Sequence, residues 1–487
     1  MPESKRYFPN TLIDSMLKSC YGNWRGYSGI NNKAFAEGRV EKVLLRFALP
    51  AIISLLVSEL YGMVDTFYVG RYVGANAIGA LTVAFPIQRL MSSTGLCIAV
   101  GASTNVARYL GEKDYKNLRI TITNGVMLTI AVMTAMPLLV YIFLNPILLR
   151  LGASNVTLPM ARTYTAIILL GGIFQCLAFV MCYTINSLGN PRITLYATSL
   201  GAILNIIIDA ILVINCNMGV KGAAIATVVS QTAACLFAMY SFYKVSKSIN
   251  LKWSFGFDKR ILNSIVAIGF TTFIIEISDA IVAIILNNIL LMRGGDAAVI
   301  VSGTIMKVSM IMYVNIIGIS SAMQPMVAFN HGAKNFKRLK ETIRKTIKVV
   351  TLTSLFLWGL MMLYAEPIIG SFVKDPILLK ECVVAYRIMI SIFPTIGLYY
   401  IATYVYQAMG EAKMSFLLSI YRQLVLFIPI VLLFVKRWGV LGAWMAYPAV
   451  DVIAAITGFI YIRRVREDIN EYVERVKSRK LIIESEA

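Results

Sequence analysis

Apolar runs long enough to cross a bilayer recur along the whole chain, separated by short polar stretches. A hydrocarbon core of about 30 Å takes roughly 20 mainly apolar residues in helical form. The pattern predicts spans near 44–68, 78–104, 120–146, 159–186, 193–215, 219–244, 262–292, 298–329, 345–372, 382–408, 415–436 and 439–462. The expected fold is therefore an all-α membrane protein of about twelve transmembrane helices. The chain also repeats itself. GVKGAAIA at 219–226 returns as GVLGAWMA at 439–446, and GEKDYKNLR at 111–119 returns as GAKNFKRLK at 332–340. An even six helices per half gives both copies one orientation, which predicts two six-helix lobes about a pseudo-twofold axis along the membrane normal. The expected units are an N-terminal arm 1–40, a first lobe 41–245, a linker 246–262, a second lobe 263–463 and a tail 464–487. The seam between equivalent halves is where secondary transporters bind cargo and rock open to alternate sides.

Composition agrees with that solvent. At 58% hydrophobic and 15% charged residues, with a mean hydropathy of +0.72, the chain is too apolar for water alone. Charge placement then orients the bundle, because cytoplasmic loops collect Lys and Arg near helix ends. Arg39, Lys42 and Arg46, Lys113, Lys116 and Arg119, Lys244 to Arg260, Lys334 to Lys340 and the tail from Arg463 to Lys480 all fall on one side. The opposite loops carry isolated Arg71, Lys221, Arg293 and Asp296, with Lys436 and Arg437 a less clean case. Both termini are thus expected in the cytoplasm. The net charge of +21 is spread over loops flanking apolar spans. That placement fits topology and anionic-lipid contacts, and no nucleic-acid partner is expected. The first 40 residues show no signal-peptide pattern. Seven cysteines lack metal-site spacing, and Cys97, Cys176, Cys182, Cys216 and Cys235 in or beside spans read as small core residues. The lone His331 reads as an interfacial residue, and one histidine cannot form HExxH. Neither an enzyme nor a cofactor is expected.

The informative residues are carboxylates inside the spans. An Asp at a helix centre costs roughly 2.5–3.5 kcal/mol on insertion scales, so it usually faces the bundle interior and serves a function. Asp65 lies in the first span, Asp209 in the fifth, and Glu276 with Asp279 in the seventh. Glu59 stands six residues from Asp65, about 120° around an ideal helix. Tyr61 and Asp65 are four apart, as are Asn205 and Asp209, so each pair stacks on one helical face. The two acids reach matching depths in the outer half of the bilayer, and Thr227 of the sixth span reaches a similar level. Such a pocket has two chemistries. Burial disfavours the charged carboxylate, which suits a proton carrier, and the same oxygens suit sodium held by Asp65, Asn205, Asp209 and Thr227. A purely structural hydrogen-bond network is the third reading. Against it, the repeat sets Asp65 opposite Leu286, Asp209 opposite Ile430 and Thr227 opposite Tyr447, so the copy folds without those groups.

VDTFYVGRYVGANAIGAL, NIIIDAILV followed by MGVKGAAIATVVSQ, and QPMVAFNHGAKNFKR together resemble the multidrug and toxic compound extrusion (MATE) family of cation-coupled antiporters, over nearly all of residues 40–465. Similarity to the prokaryotic damage-inducible branch implies a cation site in the first lobe. Its acids match Asp65 and Asp209, its polar positions match Tyr61, Asn205 and Thr227, and a helix-bending proline matches Pro50. In another branch the second lobe carries coupling, and Glu276 matches that branch's glutamate. The partner acid is missing from 382–408, where Tyr399, Tyr400, Tyr404, Tyr406 and Gln407 are the polar residues. Glu276, Asp279, Gln407 and Tyr400 are accordingly expected to line the substrate cavity. Abundant aromatic and Met side chains, interior acids and no dominant basic cavity residue favour lipophilic organic cations as cargo. The resemblance implies antiport against H+ or Na+ in a prokaryotic cytoplasmic (inner) membrane, with organic cations and membrane lipids as partners. No small-xxx-small stripe is obvious enough to read as a dimer face, so a monomer is expected. The alternative is a flippase for a lipid-linked substrate, which would want basic residues in the cavity and more helices.

Overall fold

The computed structural model describes residues 32–248, 256–373 and 375–486. Residues 1–31 of the expected arm and 249–255 of the expected linker lie outside that description. A short helix, Asn32–Glu37, precedes the first span. The spans are α1 Val40–Tyr72, α2 Ala75–Glu112, α3 Tyr115–Ile142, α4 Leu158–Ser187, α5 Arg192–Asp209 and α6 Gly219–Ser248. A continuous run, Lys259–Gly332, follows and divides at Gly295 into α7 (259–294) and α8 (296–332). Gly295 has φ 63° and ψ −161°, a conformation that a side chain would oppose. The second lobe continues with α9 Phe336–Leu363, then α10, Pro376–Thr395 and Gly397–Met409, bent by 51°. It ends with α11 Ala412–Trp438 and α12 Val440–Glu486.

Ten described helices are long and apolar enough to cross a membrane, and the bent α10 pair makes eleven. Dividing Lys259–Gly332 at Gly295 brings the number to the twelve that the hydropathy pattern predicts. The outer surface is apolar along these spans. Leu138, Leu139, Ile142 and Phe143 of the α3 end are each more than half exposed, an arrangement suited to lipid tails and unfavourable in water.

Internal symmetry is written into the turns. Lys113 (φ 60°) and Lys334 (φ 55°) take the same left-handed conformation, and Gly74 and Gly295, Gly189 and Gly410, and Gly219 and Gly439 form three further positive-φ pairs about 220 positions apart. After each lysine a side chain caps the next helix. Asp114 Oδ1 accepts from Asn117 N–H at 3.0 Å, and Asn335 Oδ1 from Arg338 N–H at 3.2 Å. These caps satisfy amides that have no partner within their own helix. Short helices Leu144–Arg150 and Ala365–Gly370 recur at matching places. GEKD and GAKN are thus one turn used twice, and the two lobes are copies in three dimensions.

The lobes meet tightly at the end that carries the basic loops. There Ser264 donates to Asn105 Oδ1 at 3.0 Å, Gln324 to Thr104 Oγ1 at 3.3 Å, Asn330 to the Phe35 carbonyl at 3.4 Å and Arg338 Nε to that same carbonyl at 2.5 Å. Lys345 pairs with Glu41 at 2.5 Å. Nearer mid-depth, one ion pair between Arg89 of α2 and Glu276 of α7 crosses the seam at 2.6 Å. The seam is therefore sealed at the basic end.

Candidate functional site

Asp65 and Asp209 are buried in the first lobe, on α1 and α5. The Tyr164 hydroxyl of α4 donates to Asp65 Oδ2 at 3.2 Å and itself accepts from Gln88 Nε2 of α2 at 3.3 Å. Among the described residues, Asp65 Oδ1 and both oxygens of Asp209 have no hydrogen-bond partner, nor do the Asn205 amide atoms, Thr227 Oγ1 or the Tyr61 hydroxyl. These groups nonetheless share one space. Tyr61 lies beside Thr227 and Ser230 and within electrostatic reach of both acids, and Asn205 sits next to Asp209. The structure thus brings together the five groups that spacing selects. It adds Tyr164, Gln88 and Ser230, which carry no spacing signal because their helices join the site only through packing. α5 passes into a π-helical turn, Ala210–Asn215, directly after Asp209, a distortion frequent at functional sites. α1 runs as continuous helix through Pro50. Glu59 is exposed, on a different face from buried Asp65.

No Lys or Arg among the described residues pairs with Asp65 or Asp209. Two buried carboxylates without a counter-charge are costly unless a proton or a cation joins them. Among the described residues no group of three or more His, Cys, Asp or Glu could hold a metal. A cation here would rest on mixed oxygens, namely two carboxylates, an amide and hydroxyls, which is the donor set of a hard ion.

A cavity of about 310 Å3 opens beside this cluster, between the lobes. Tyr61, Ser230 and Gln231 line it, so the acid cluster and the cavity share a wall. Thr104 and Gln324 form part of its floor toward the sealed end, and Gln324 donates onward to Gln407 Oε1 at 3.1 Å. Glu276 is the one charged group among the described lining residues, with Tyr183 and Tyr404 within its electrostatic reach and also in the lining. Of the four residues expected to line the cavity, Glu276 does so. Gln407 lies behind the floor, donating to the Ile268 carbonyl at 3.0 Å and to Thr272 Oγ1 at 2.9 Å. Tyr400 belongs to a separate buried cluster, at whose edge Asp279 is exposed.

That cluster holds a buried basic group outside the described cavity lining. Arg422 of α11 pairs with Asp451 of α12 at 3.0 Å, both buried, and donates to the Tyr313 hydroxyl at 3.1 Å. Its guanidinium lies 5.9 Å from the Tyr313 and Tyr400 ring centres, and Gln423 donates to Asp279. Arg422 and Gln423 sit in a second π-helical turn, Tyr421–Phe427. The helices involved, α7, α8, α10, α11 and α12, repeat α1, α2, α4, α5 and α6. Where the first lobe leaves its acids without a counter-charge, the second supplies a fixed arginine. The described cysteines are free, five buried and Cys216 exposed, and His331 sits beside the Phe336 ring at 6.4 Å.

The MepA multidrug export protein of Staphylococcus aureus is 25% identical over 451 residues, covering 90% of this chain and 98% of its own. A Staphylococcus saprophyticus MepA is 25% identical over 442 residues, with coverages of 89% and 96%. Among solved structures, a MATE in complex with MaL6 superposes with a TM-score of 0.86 at 23% identity, covering 90% of this chain and 99% of that one. An outward-facing multidrug resistance MATE transporter of the MOP superfamily gives 0.85 at 23% identity, covering 91% and 99%. These likenesses establish the two-lobe fold. The sequence profile described as MatE matches residues 50–211 and 267–433, one block in each lobe and well over half of the chain. With that match, the chain belongs to the MatE family, whose members are membrane transporters and not enzymes.

Proposed function

We propose that the protein exports lipophilic, mostly cationic organic compounds across a prokaryotic cytoplasmic membrane in exchange for H+ or Na+, with both termini in the cytoplasm. The observation that carries this reading is the pair Asp65 and Asp209. Among the described residues they are buried acids of one lobe without a basic partner, with three carboxylate oxygens lacking hydrogen bonds. The names of the MepA relatives support export of multiple drugs. The motifs further support a place near the damage-inducible branch.

The mechanism follows from the shared wall. With the basic end sealed, an ion arrives from the opposite face and joins Asp65 and Asp209, with Asn205, Thr227 and Tyr61 supplying the remaining oxygens. Neutralising the acids removes the cost of burying them and repositions Tyr61, which also lines the cavity. Cargo held there loses part of its site and leaves outward. The lobes then rock, the basic end opens, and new cargo exchanges for the ion. One charge falling through 100 mV supplies about 2.3 kcal/mol, enough for roughly a fifty-fold gradient. The flippase alternative wants cations lining the cavity, whereas Glu276 is the charged residue among the described lining.

The test is efflux of a fluorescent organic cation from proteoliposomes under an imposed proton gradient and, separately, a sodium gradient. Efflux driven by one of them and lost in Asp209→Asn supports the antiporter and names the ion. No efflux under either, from folded protein, overturns it in favour of lipid-linked substrates.

A further inference from the structure

Glu276 is the lone charged group in the described cavity lining, yet it already has a partner. Arg89 Nη2 of the opposite lobe lies 2.6 Å from Glu276 Oε2, with the two side chains 32% and 24% exposed. Arg89 itself does not line the cavity. Its helix contributes Leu96, Val100, Ser103 and Thr104 to the lining, all further toward the sealed basic end. Arg89 therefore stands about two helical turns before Leu96, on the side away from that end, and reaches the cavity wall only through Glu276. The other charges within reach of Glu276 are Asp279 and Glu59, both acidic. Tyr183 and Tyr404 are lining residues within reach of the same carboxylate. A carboxylate and two aromatic side chains make a site for an organic cation, and here a tethered guanidinium holds the carboxylate.

We propose that Arg89 is the resident competitor of cationic cargo: it neutralises Glu276 while the cavity is empty, and an organic cation binds by displacing it. The exchange keeps Glu276 paired in both states, so the carrier never exposes an uncompensated acid to its partly buried seam. It also sets specificity. A cation must outbid a tethered guanidinium, whereas a neutral compound fills the cavity without disturbing the pair. Because Arg89 and Glu276 lie in different lobes, displacement removes the ion pair that ties them near mid-depth. Cargo occupancy is thereby felt by the opposite lobe. The inference rests on the export reading above for the class of cargo.

Binding of tetraphenylphosphonium to purified full-length protein in detergent tests it without any transport step, with a neutral hydrophobic dye as reference. Arg89→Gln is expected to bind the cation on the order of tenfold more tightly than wild type, as for one partly buried ion pair released. Arg89→Lys should remain near wild type, Glu276→Gln should lose most cation binding, and dye binding should hardly change throughout. An unchanged or weaker cation affinity in Arg89→Gln, with wild type binding normally and the variant eluting as a single species, overturns the proposal alone. No cation binding by any variant, Arg89→Gln included, overturns the export reading together with it.

Discussion

Gly111 and Gly332 make the same contact reciprocally where α2 and α8 cross at the basic end. A Cβ on Gly111 would lie 2.1 Å from the Phe329 carbonyl oxygen, and one on Gly332 would lie 2.2 Å from that of Arg108. Gly111 and Gly332 are repeat equivalents, as are Arg108 and Phe329, so the pseudo-twofold axis passes through this crossing. Both obstructing atoms are backbone and cannot rotate away. Gly332→Val should therefore hold the two helices apart and favour the form open at the basic end. Spin labels at the equivalent positions Lys116 and Lys337 should give a longer distance distribution than in the unsubstituted background. An unchanged distribution would mean that the crossing is not what closes this end.

The buried Arg422–Asp451 pair predicts a sharp asymmetry between single and double substitution. Arg422→Ala strands Asp451 without a counter-charge and should cost about 3–5 kcal/mol, read as a large drop in thermal unfolding temperature in detergent. Arg422→Met combined with Asp451→Leu removes both charges and should recover most of that loss. A double variant as unstable as the single one would place the cost in lost packing and not in the orphaned charge.

Much of this arrangement is legible before any coordinates. The repeated GEKD and GAKN stretches foretell matching turns, and the structure realises them as Lys113 and Lys334 with their capping Asp114 and Asn335. Asp65 and Asp209 stand out because an acid in an apolar run is costly, and their spacing to Tyr61 and Asn205 fixes the faces they share. The same cost applies to Arg89, Arg422 and Asp451, but their pairing with Glu276, with Tyr313 and with one another is set by packing and leaves no spacing signal. Other features have no one-dimensional trace. Tyr164 meets Asp65 across 99 positions, and whether Tyr400 or Tyr404 lines the cavity depends on how the bent α10 is turned.

The helix Asn32–Glu37 should act as a strap across the lobes. Phe35 is fully buried, with ring centres of Phe47 and Phe329 5.4 and 5.5 Å away, one ring from each lobe. Truncating a buried Phe to Ala costs about 3–5 kcal/mol, and here the loss falls on the sealed form. Phe35→Ala should speed amide hydrogen exchange over residues 36–47 and leave α3 unaffected. Protection equal to wild type would show that the Asn330 and Arg338 side chains, donating to the Phe35 carbonyl, suffice to hold the strap.

Tyr404 and Gln407 lie one turn apart on α10 and should separate recognition from closure. Tyr404 lines the cavity near Glu276, so on the proposed export reading it would contact cargo in the ground state. Tyr404→Ala should raise the KM for an organic cation roughly tenfold, the scale of a partly desolvated aromatic contact with a cation, at a nearly constant maximal rate. Gln407 touches no cavity space and instead links Gln324, Thr272 and the Ile268 carbonyl under the floor. Gln407→Leu leaves one N–H of the Gln324 amide without its acceptor, a loss of about 1–3 kcal/mol, and loosens the same amide that donates across the seam to Thr104 Oγ1 in the sealed form. Such a loss changes how often the basic end closes and not how well cargo fits, so the maximal rate should fall with KM little changed. Equal KM effects from both substitutions would mean that Gln407 turns into the cavity during the cycle, and the floor would then belong to the binding site.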